Sequence, residues 1–222
     1  MAWWEQQDAM QPPLWRDRRQ AGVALARRLQ PWRGRPDALV IGLPRGGVVV
    51  AAEVAQALQL PLASWAVRKL AHPAAPELAV GAIASGGVLI WREPQPLEPP
   101  LDPALRRRLV AEQEAECRRR QQLYGDPEAS SLKKRPLLVV DDGVATGLTV
   151  QAALQSLRQA GPSQLVLAVP VVDRRTWQRL QGAADELVAL AVVAQLGAVG
   201  QWYERFEPVA DQEVLDRLAG RG

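Results

Sequence analysis

The chain has 222 residues, 48% hydrophobic and 23% charged, a mix that excludes a disordered or collagen-like polymer and predicts one domain with an appended element. Its 27 basic and 24 acidic residues leave a net charge of only +3, too small a surplus to argue for a nucleic-acid partner. The longest stretch without formal charge, Leu187 to Tyr203, is broken by Gln195, Gly197, Gly200 and Gln201, so no membrane span is expected.

The N-terminus, Met1-Ala2-Trp3-Trp4-Glu5, has neither a basic leader nor a following apolar block, which predicts a cytoplasmic protein without a secretory signal. Ala21, Leu25, Arg28 and Leu29 mark an N-terminal helix, expected to pack on a sheet edge with little functional content. Ala38 to Leu43 is a short apolar run closed by Pro44-Arg45-Gly46-Gly47, followed by helical spacing over Val48 to Leu60 and a second apolar run over Leu62 to Val67. This order reads as a βαβ unit. Arg68 to Glu77, rich in Ala and Pro, is expected to be an irregular mobile segment, and Ala79 to Ile83 with Gly86 to Trp91 a hairpin. Pro94 to Pro103 reads as a linker or exposed loop.

Leu101, Leu105 and Leu109 open a helix whose Arg106-Arg107-Arg108 and Arg118-Arg119-Arg120 runs flank Glu112, Glu114 and Glu116. Mixed signs predict a solvated face, and Cys117, set among those charges, is assigned no catalytic role. One cysteine and one histidine, His72, argue against a structural zinc site and a histidine-based triad. A second unit begins at Leu137 to Val140, passes through Asp141-Asp142-Gly143, continues as a helix from Leu148 to Ala160 and returns as a strand over Gln164 to Val172. Apolar residues on consecutive positions predict strands covered on both faces, hence an α/β fold with a parallel sheet core flanked by helices. A C-terminal helix, Asp211 to Leu218, completes the set.

The chemistry concentrates in Asp141-Asp142-Gly143-Val144-Ala145-Thr146-Gly147-Leu148-Thr149. Gly143 and Gly147 allow a tight turn with converging N–H groups, Thr146 and Thr149 add hydroxyl donors, and the following helix offers its positive N-terminus, together a cradle for a phosphate monoester. Carboxylates beside such a cradle would repel an anion, so they point to sugar hydroxyls and to a cationic centre developing on the sugar. Neither turn carries the Gly-Lys-Ser/Thr of a P-loop, and the dinucleotide fingerprint Gly-x-Gly-x-x-Gly is absent.

This segment resembles the phosphoribosyl pyrophosphate motif of the type I phosphoribosyltransferases. Asp17 to Gly22, Leu43 to Val48, Val67 to Leu70, Pro76 to Ala82 and Val199 to Tyr203 likewise resemble a bacterial group of these enzymes with undefined acceptor. The resemblance implies a type I phosphoribosyltransferase fold over residues 1–222, with a small hood from terminal pieces and a flexible lid hairpin over about 68–91. It implies that Asp141 and Asp142 bind the ribose 2- and 3-hydroxyls, that Ala145 to Thr149 hold the 5-phosphate, and that Pro44, Arg45, Gly46 and Gly47 form the pyrophosphate turn with a cis peptide at Pro44-Arg45. On the lid, Arg68 and Lys69 would be phosphate ligands and Glu77, rather than His72, the acid or base. The implied activity is transfer of a 5-phosphoribosyl group between phosphoribosyl pyrophosphate and a nitrogen acceptor, as in nucleotide salvage. Mg²⁺, held mainly by the ligand, would be the cofactor, and the protein a homodimer. A non-catalytic module that senses the same ligand is the alternative. Ala145 replaces the aspartate that serves near the ring in hypoxanthine and guanine enzymes, so the acceptor stays open. Trp202, Tyr203 and Phe206 are candidates either for stacking on a base or for the core.

Overall fold

The computed structural model describes residues 11–93 and 101–220, without the side chains of Pro76 and Glu77. In chain order the elements are α1 (Arg18–Arg28), β1 (Leu39–Gly42), α2 (Gly46–Leu58), β2 (Leu62–Ser64), β3 (Val67–His72), β4 (Ala75–Ala84), β5 (Val88–Trp91), α3 (Pro103–Tyr124), β6 (Pro136–Val140), α4 (Leu148–Gln159), β7 (Gln164–Asp173), α5 (Arg174–Leu180), β8 (Glu186–Val193) and α6 (Asp211–Leu218). The N-terminal pentapeptide and most of Pro94 to Pro103 lie outside the described residues, though Pro103 itself starts α3 behind the Asp102 cap, which accepts a hydrogen bond from Leu105 N. No helix of the described residues is long and apolar enough to cross a membrane.

Five strands form a parallel sheet in the order β2-β1-β6-β7-β8, with every residue of β1 and β6 buried. Alternate side chains explain how that comes about. Leu39, Ile41, Leu137, Val139, Leu165 and Leu167 pack beneath α4, whereas Val40, Leu138, Val140, Val166 and Ala168 pack beneath α1 and α2. Helix α1 therefore covers a face of the sheet, with Leu25, Ala26 and Leu29 in the core, and not an edge as expected. From β1 the chain winds outward to β2, while from β6 it winds the other way through β7 to β8. The reversal falls between β1 and β6, and open α/β sheets bind ligands at the strand ends beside such a reversal.

The expected strand over Leu62 to Val67 is two strands in different sheets. β2 pairs with β1, and β3 begins an antiparallel sheet in the order β3-β4-β5. Half-buried Asp126, just after α3, fixes the break: it accepts from Ser64 Oγ (2.6 Å), Ala66 N (2.6 Å) and Ser85 Oγ (2.9 Å), while desolvation pushes its carboxyl up. The expected irregular segment Arg68 to Glu77 is likewise corrected. It forms β3 and the start of β4, whose register shifts at Leu70/Ala71 and Ala71/His72. Val67, Ala82 and Ala84 pack toward α4, and Leu70, Val80 and Ile83 toward Leu109 and Cys117 of α3, so the small sheet is covered on both sides. The expected solvated setting of Cys117 fails for the same reason, and His72 is enclosed as well. Cys117 is buried, with its thiol near Ala66 O and its pKa pushed up to about 11 by burial. His72 is buried at 6% exposure, accepting from Ala74 N at Nδ1.

Candidate active site at the β1 and β6 strand ends

Strand β6 ends at Val140, and the loop that follows is strapped to β7 through Val144. Val144 N donates to Val171 O (2.9 Å) and Asp173 N to Val144 O (3.0 Å). Helix α5 claims the outward carbonyls: Thr176 Oγ1 donates to Ala145 O, and Arg179 Nη2 to Thr146 O (2.7 Å). Gly147, at φ +73°, turns the chain into α4, where a Cβ would meet Thr176 Cγ2 at 2.6 Å. With those carbonyls occupied, the N–H groups of Ala145, Thr146, Gly147, Leu148 and Thr149 donate to no acceptor among the described residues. Five successive free amides at a helix N-terminus form an anion cradle.

The second turn lies opposite. Leu43 N donates to Val140 O (3.0 Å), the Pro44-Arg45 peptide is cis, and Gly46 and Gly47 open α2. This end of α2 presses on the two carboxylates. A Cβ on Gly46 would lie 1.9 Å from Asp142 Oδ2, and one on Gly47 would lie 2.7 Å from Asp141 Oδ1 and 2.9 Å from Val140 O. Asp141 Oδ1 accepts from Asp142 N (2.9 Å). Burial, and next the charge of Asp142, push the Asp141 carboxyl well above the ordinary range. Burial also raises Asp142, against the pull of Arg18.

Arg18 is a residue to which no sequence motif gave a role. From the first turn of α1 its Nε donates to Asp142 Oδ2 (2.7 Å), its Nη1 donates to Glu207 O (3.0 Å), and its guanidinium lies 3.6 Å from the Phe206 ring centroid. Tyr203 stacks on Phe206 at 5.0 Å between centroids and donates its hydroxyl to Asp142 O. Trp202 is core, Tyr203 is buried behind Asp142, and Phe206 has Tyr203 and Arg18 as its ring neighbours. Tyr203 directly, and Phe206 through Tyr203 and Arg18, thus brace Asp142.

Helix α3 is only partly the solvated helix expected. Arg106, Arg107, Arg108, Arg118 and Arg119 are exposed, but Arg120 is 6% exposed. Gln113, Glu116, Arg120 and Tyr124 form one stripe along the helix. Gln113 Oε1 accepts from Arg68 Nε (3.1 Å), and Glu116 accepts from Arg119 (2.7 Å) and Arg120 (2.8 Å), which hold its pKa down to about 2. Tyr124 and Arg119 both donate to Asp211 at the start of α6, and Asp211 lies 3.6 Å from Arg45 Nη1. Arg68 is held below the usual guanidinium range by burial and then by the charges of Arg120 and Arg45. Lys69 is exposed on the same strand, and the side chain of Glu77 lies outside the described residues. No group of three or more His, Cys, Asp or Glu able to hold a metal occurs among the described residues.

Residues 21–194 match the phosphoribosyl transferase domain. The chain belongs to that family. Two curated proteins of Mycobacterium tuberculosis, from strains CDC 1551 and H37Rv, are 42% identical to it over 203 residues; their names carry the words phosphoribosyl transferase and give no acceptor. The alignment covers 91% of this chain and 46% of each relative, so the chain spans about half their length. The crystal structure of TT1426 from Thermus thermophilus is 41% identical, covers 93% of this chain and 98% of its own, and superposes with a TM-score of 0.71.

Proposed function

We propose that this phosphoribosyltransferase-family chain is an enzyme that transfers a 5-phosphoribosyl group from phosphoribosyl pyrophosphate to a nitrogen acceptor. The observation that carries the reading is the juxtaposition, at one sheet reversal, of five free amides at 145–149, the carboxylates Asp141 and Asp142, and the cationic turn at Arg45. Each part answers one part of the ligand. The amides with Thr146 and Thr149 would hold the 5-phosphate, the carboxylates the ribose hydroxyls, and Pro44 to Gly47 the diphosphate.

In the reaction the acceptor nitrogen attacks the sugar C1 as the bond from C1 to the diphosphate oxygen breaks. The electron pair leaves with the diphosphate, and the acceptor gives up its proton. Positive charge grows on the sugar meanwhile, and Asp141 and Asp142 would balance it from fixed positions. Arg18 takes one Asp142 oxygen and orients the carboxylate before the ligand arrives. Arg68 and Lys69 on the β3–β4 hairpin would close on the phosphates as a lid and keep water from the cationic sugar, with Glu77 of the same hairpin as the candidate acid or base. The residues present suit a Mg²⁺ ion carried by the diphosphate rather than a protein-built centre, since Asp142 is engaged by Arg18 and Asp141 accepts from Asp142 N. When bound, the metal neutralises the leaving group.

Phosphoribosyl pyrophosphate, Mg²⁺ and a panel of bases and amines test the reading through pyrophosphate release. Release with one acceptor class supports it, and ligand binding without release from any acceptor points to the sensing module. Absence of binding at millimolar ligand rejects both.

A further inference from the structure

Helix α3 presents to the site a guanidinium that neither strand-end turn supplies. Arg120 is 6% exposed, and its one hydrogen bond among the described residues runs from Nε to Glu116 Oε1 at 2.8 Å. Glu116 is shared, since Arg119 binds it through both Nε and Nη2. The Nη nitrogens of Arg120 have no hydrogen-bond partner among the described residues, and neither is sealed from solvent. Donors that reach solvent and meet no protein acceptor are open to the acceptor oxygens of a ligand. Arg68 repeats the pattern: Nε donates to Gln113, one helical face along from Arg120, and its Nη nitrogens are also without a partner among the described residues. Arg45 has only the 3.6 Å contact with Asp211 among the described residues. Arg68 lies close enough to both Arg120 and Arg45 for their charges to disfavour its own. Converging guanidiniums with unused donors are relieved by an anion that accepts several hydrogen bonds at once.

We propose that Arg120 is a third diphosphate-binding residue, so that α3 completes the anion site begun by Arg45 and Arg68. The proposal rests on the phosphoribosyltransferase reading above and extends it to a helix outside the two strand-end turns. Glu116 and Asp211 then act as positioning residues. They hold Arg120, through Arg119 and Tyr124, in register with Arg45 without neutralising the Nη groups that face the ligand.

Two probes separate this from a purely structural role. Inorganic pyrophosphate with Mg²⁺ reports on the three-arginine site, and ribose 5-phosphate reports on the amide cradle at 145–149. By calorimetry, Arg120→Met should weaken pyrophosphate binding about 10- to 100-fold, the usual range for lost charge-assisted hydrogen bonds, and leave ribose 5-phosphate affinity unchanged. Arg120→Gln, which retains a donor for Glu116, carries the same comparison if the methionine variant does not fold. Unchanged pyrophosphate affinity in the variants, or equal loss of both probes, overturns the proposal. If the wild-type chain binds neither probe, the phosphoribosyl reading itself fails, an outcome distinct from either of those.

Discussion

The contact between the N-terminus of α2 and the acid pair can be tested with one added methyl group. A Cβ on Gly47 would lie 2.9 Å from both Asp141 Cα and Val140 O, and those backbone atoms cannot rotate away. Ordinary carbon contacts fall at about 3.5–4.0 Å, so α2 must recede from the end of β6 by about 0.6 Å or more. Overpacking of this kind costs about 1–3 kcal/mol, and replacing a helical glycine returns at most about 1 kcal/mol. The net loss of about 1–2 kcal/mol should lower Tm by about 2–8 °C in a chain of this size. Because α2 carries the Arg45 turn, displacement should also lower kcat/KM for pyrophosphate release by about 10- to 100-fold. Gly46→Ala acts differently. Its Cβ would meet Asp142 Oδ2 at 1.9 Å and Arg18 Nε at 2.8 Å, so the carboxylate must swing off Arg18, and the loss moves toward the roughly 3–5 kcal/mol seen when a buried pair loses one partner. Differential scanning calorimetry and initial rates on both variants decide the matter. If both melt within about 1 °C of wild type and release pyrophosphate at the wild-type rate, the claimed pressure of α2 on the acid pair is wrong.

Lys69→Ala should lower kcat while leaving the ligand dissociation constant nearly unchanged, because a lid residue acts once the site is closed; a pure affinity loss would remove the lid assignment. Cys117, buried and with a pKa of about 11, should react with a disulfide reagent at pH 8 only after denaturant opens the packing of α3 on β3, so rapid labelling of the native protein would contradict the buried placement. For Asp141 the raised pKa sets the sign: its stabilising contribution is complete below the unfolded value near 3.8 and is lost as pH rises through the folded value. Asp141→Asn should therefore melt at or above wild type at pH 7 and lose that advantage as pH falls toward 4, yet turn over about 100- to 1000-fold more slowly. Equal destabilisation at pH 7 and pH 5 would show that the carboxylate serves the fold.

Local signals made the parallel sheet legible. Consecutive apolar residues at Leu137 to Val140 predicted a strand covered on both faces, and the glycines at 46–47 and 143–147 marked the turns at the candidate site. The cis Pro44-Arg45 peptide, by contrast, came only from family resemblance. What stayed hidden depends on contacts far apart in the chain. The break between Ser64 and Val67 is set by Asp126, about 60 residues later, so apolar patterning joined two strands that belong to different sheets. Arg18 meets Asp142 across 124 positions, and a helix whose charged residues are all arginines gives no local sign that one of them turns inward. The same limit explains Arg120. Arg118 and Arg119 beside it are exposed, and nothing in the charge pattern separates its environment from theirs.

The buried charges at the two strand ends share one physical logic. Asp141 is a carboxylate in a place that penalises its ionisation, while Arg68 is a cation disfavoured by burial and by the charges of Arg120 and Arg45. Either arrangement alone would only weaken the folded chain, and stability could be gained by replacing it with apolar residues of similar volume. A ligand with a diphosphate at one end and a sugar that gains positive charge in the middle relieves both strains, the second most fully as the bond to the leaving group breaks. On the proposed reading the site would bind the reacting state better than the resting one, and the electrostatic penalty built into the fold would become the source of the rate.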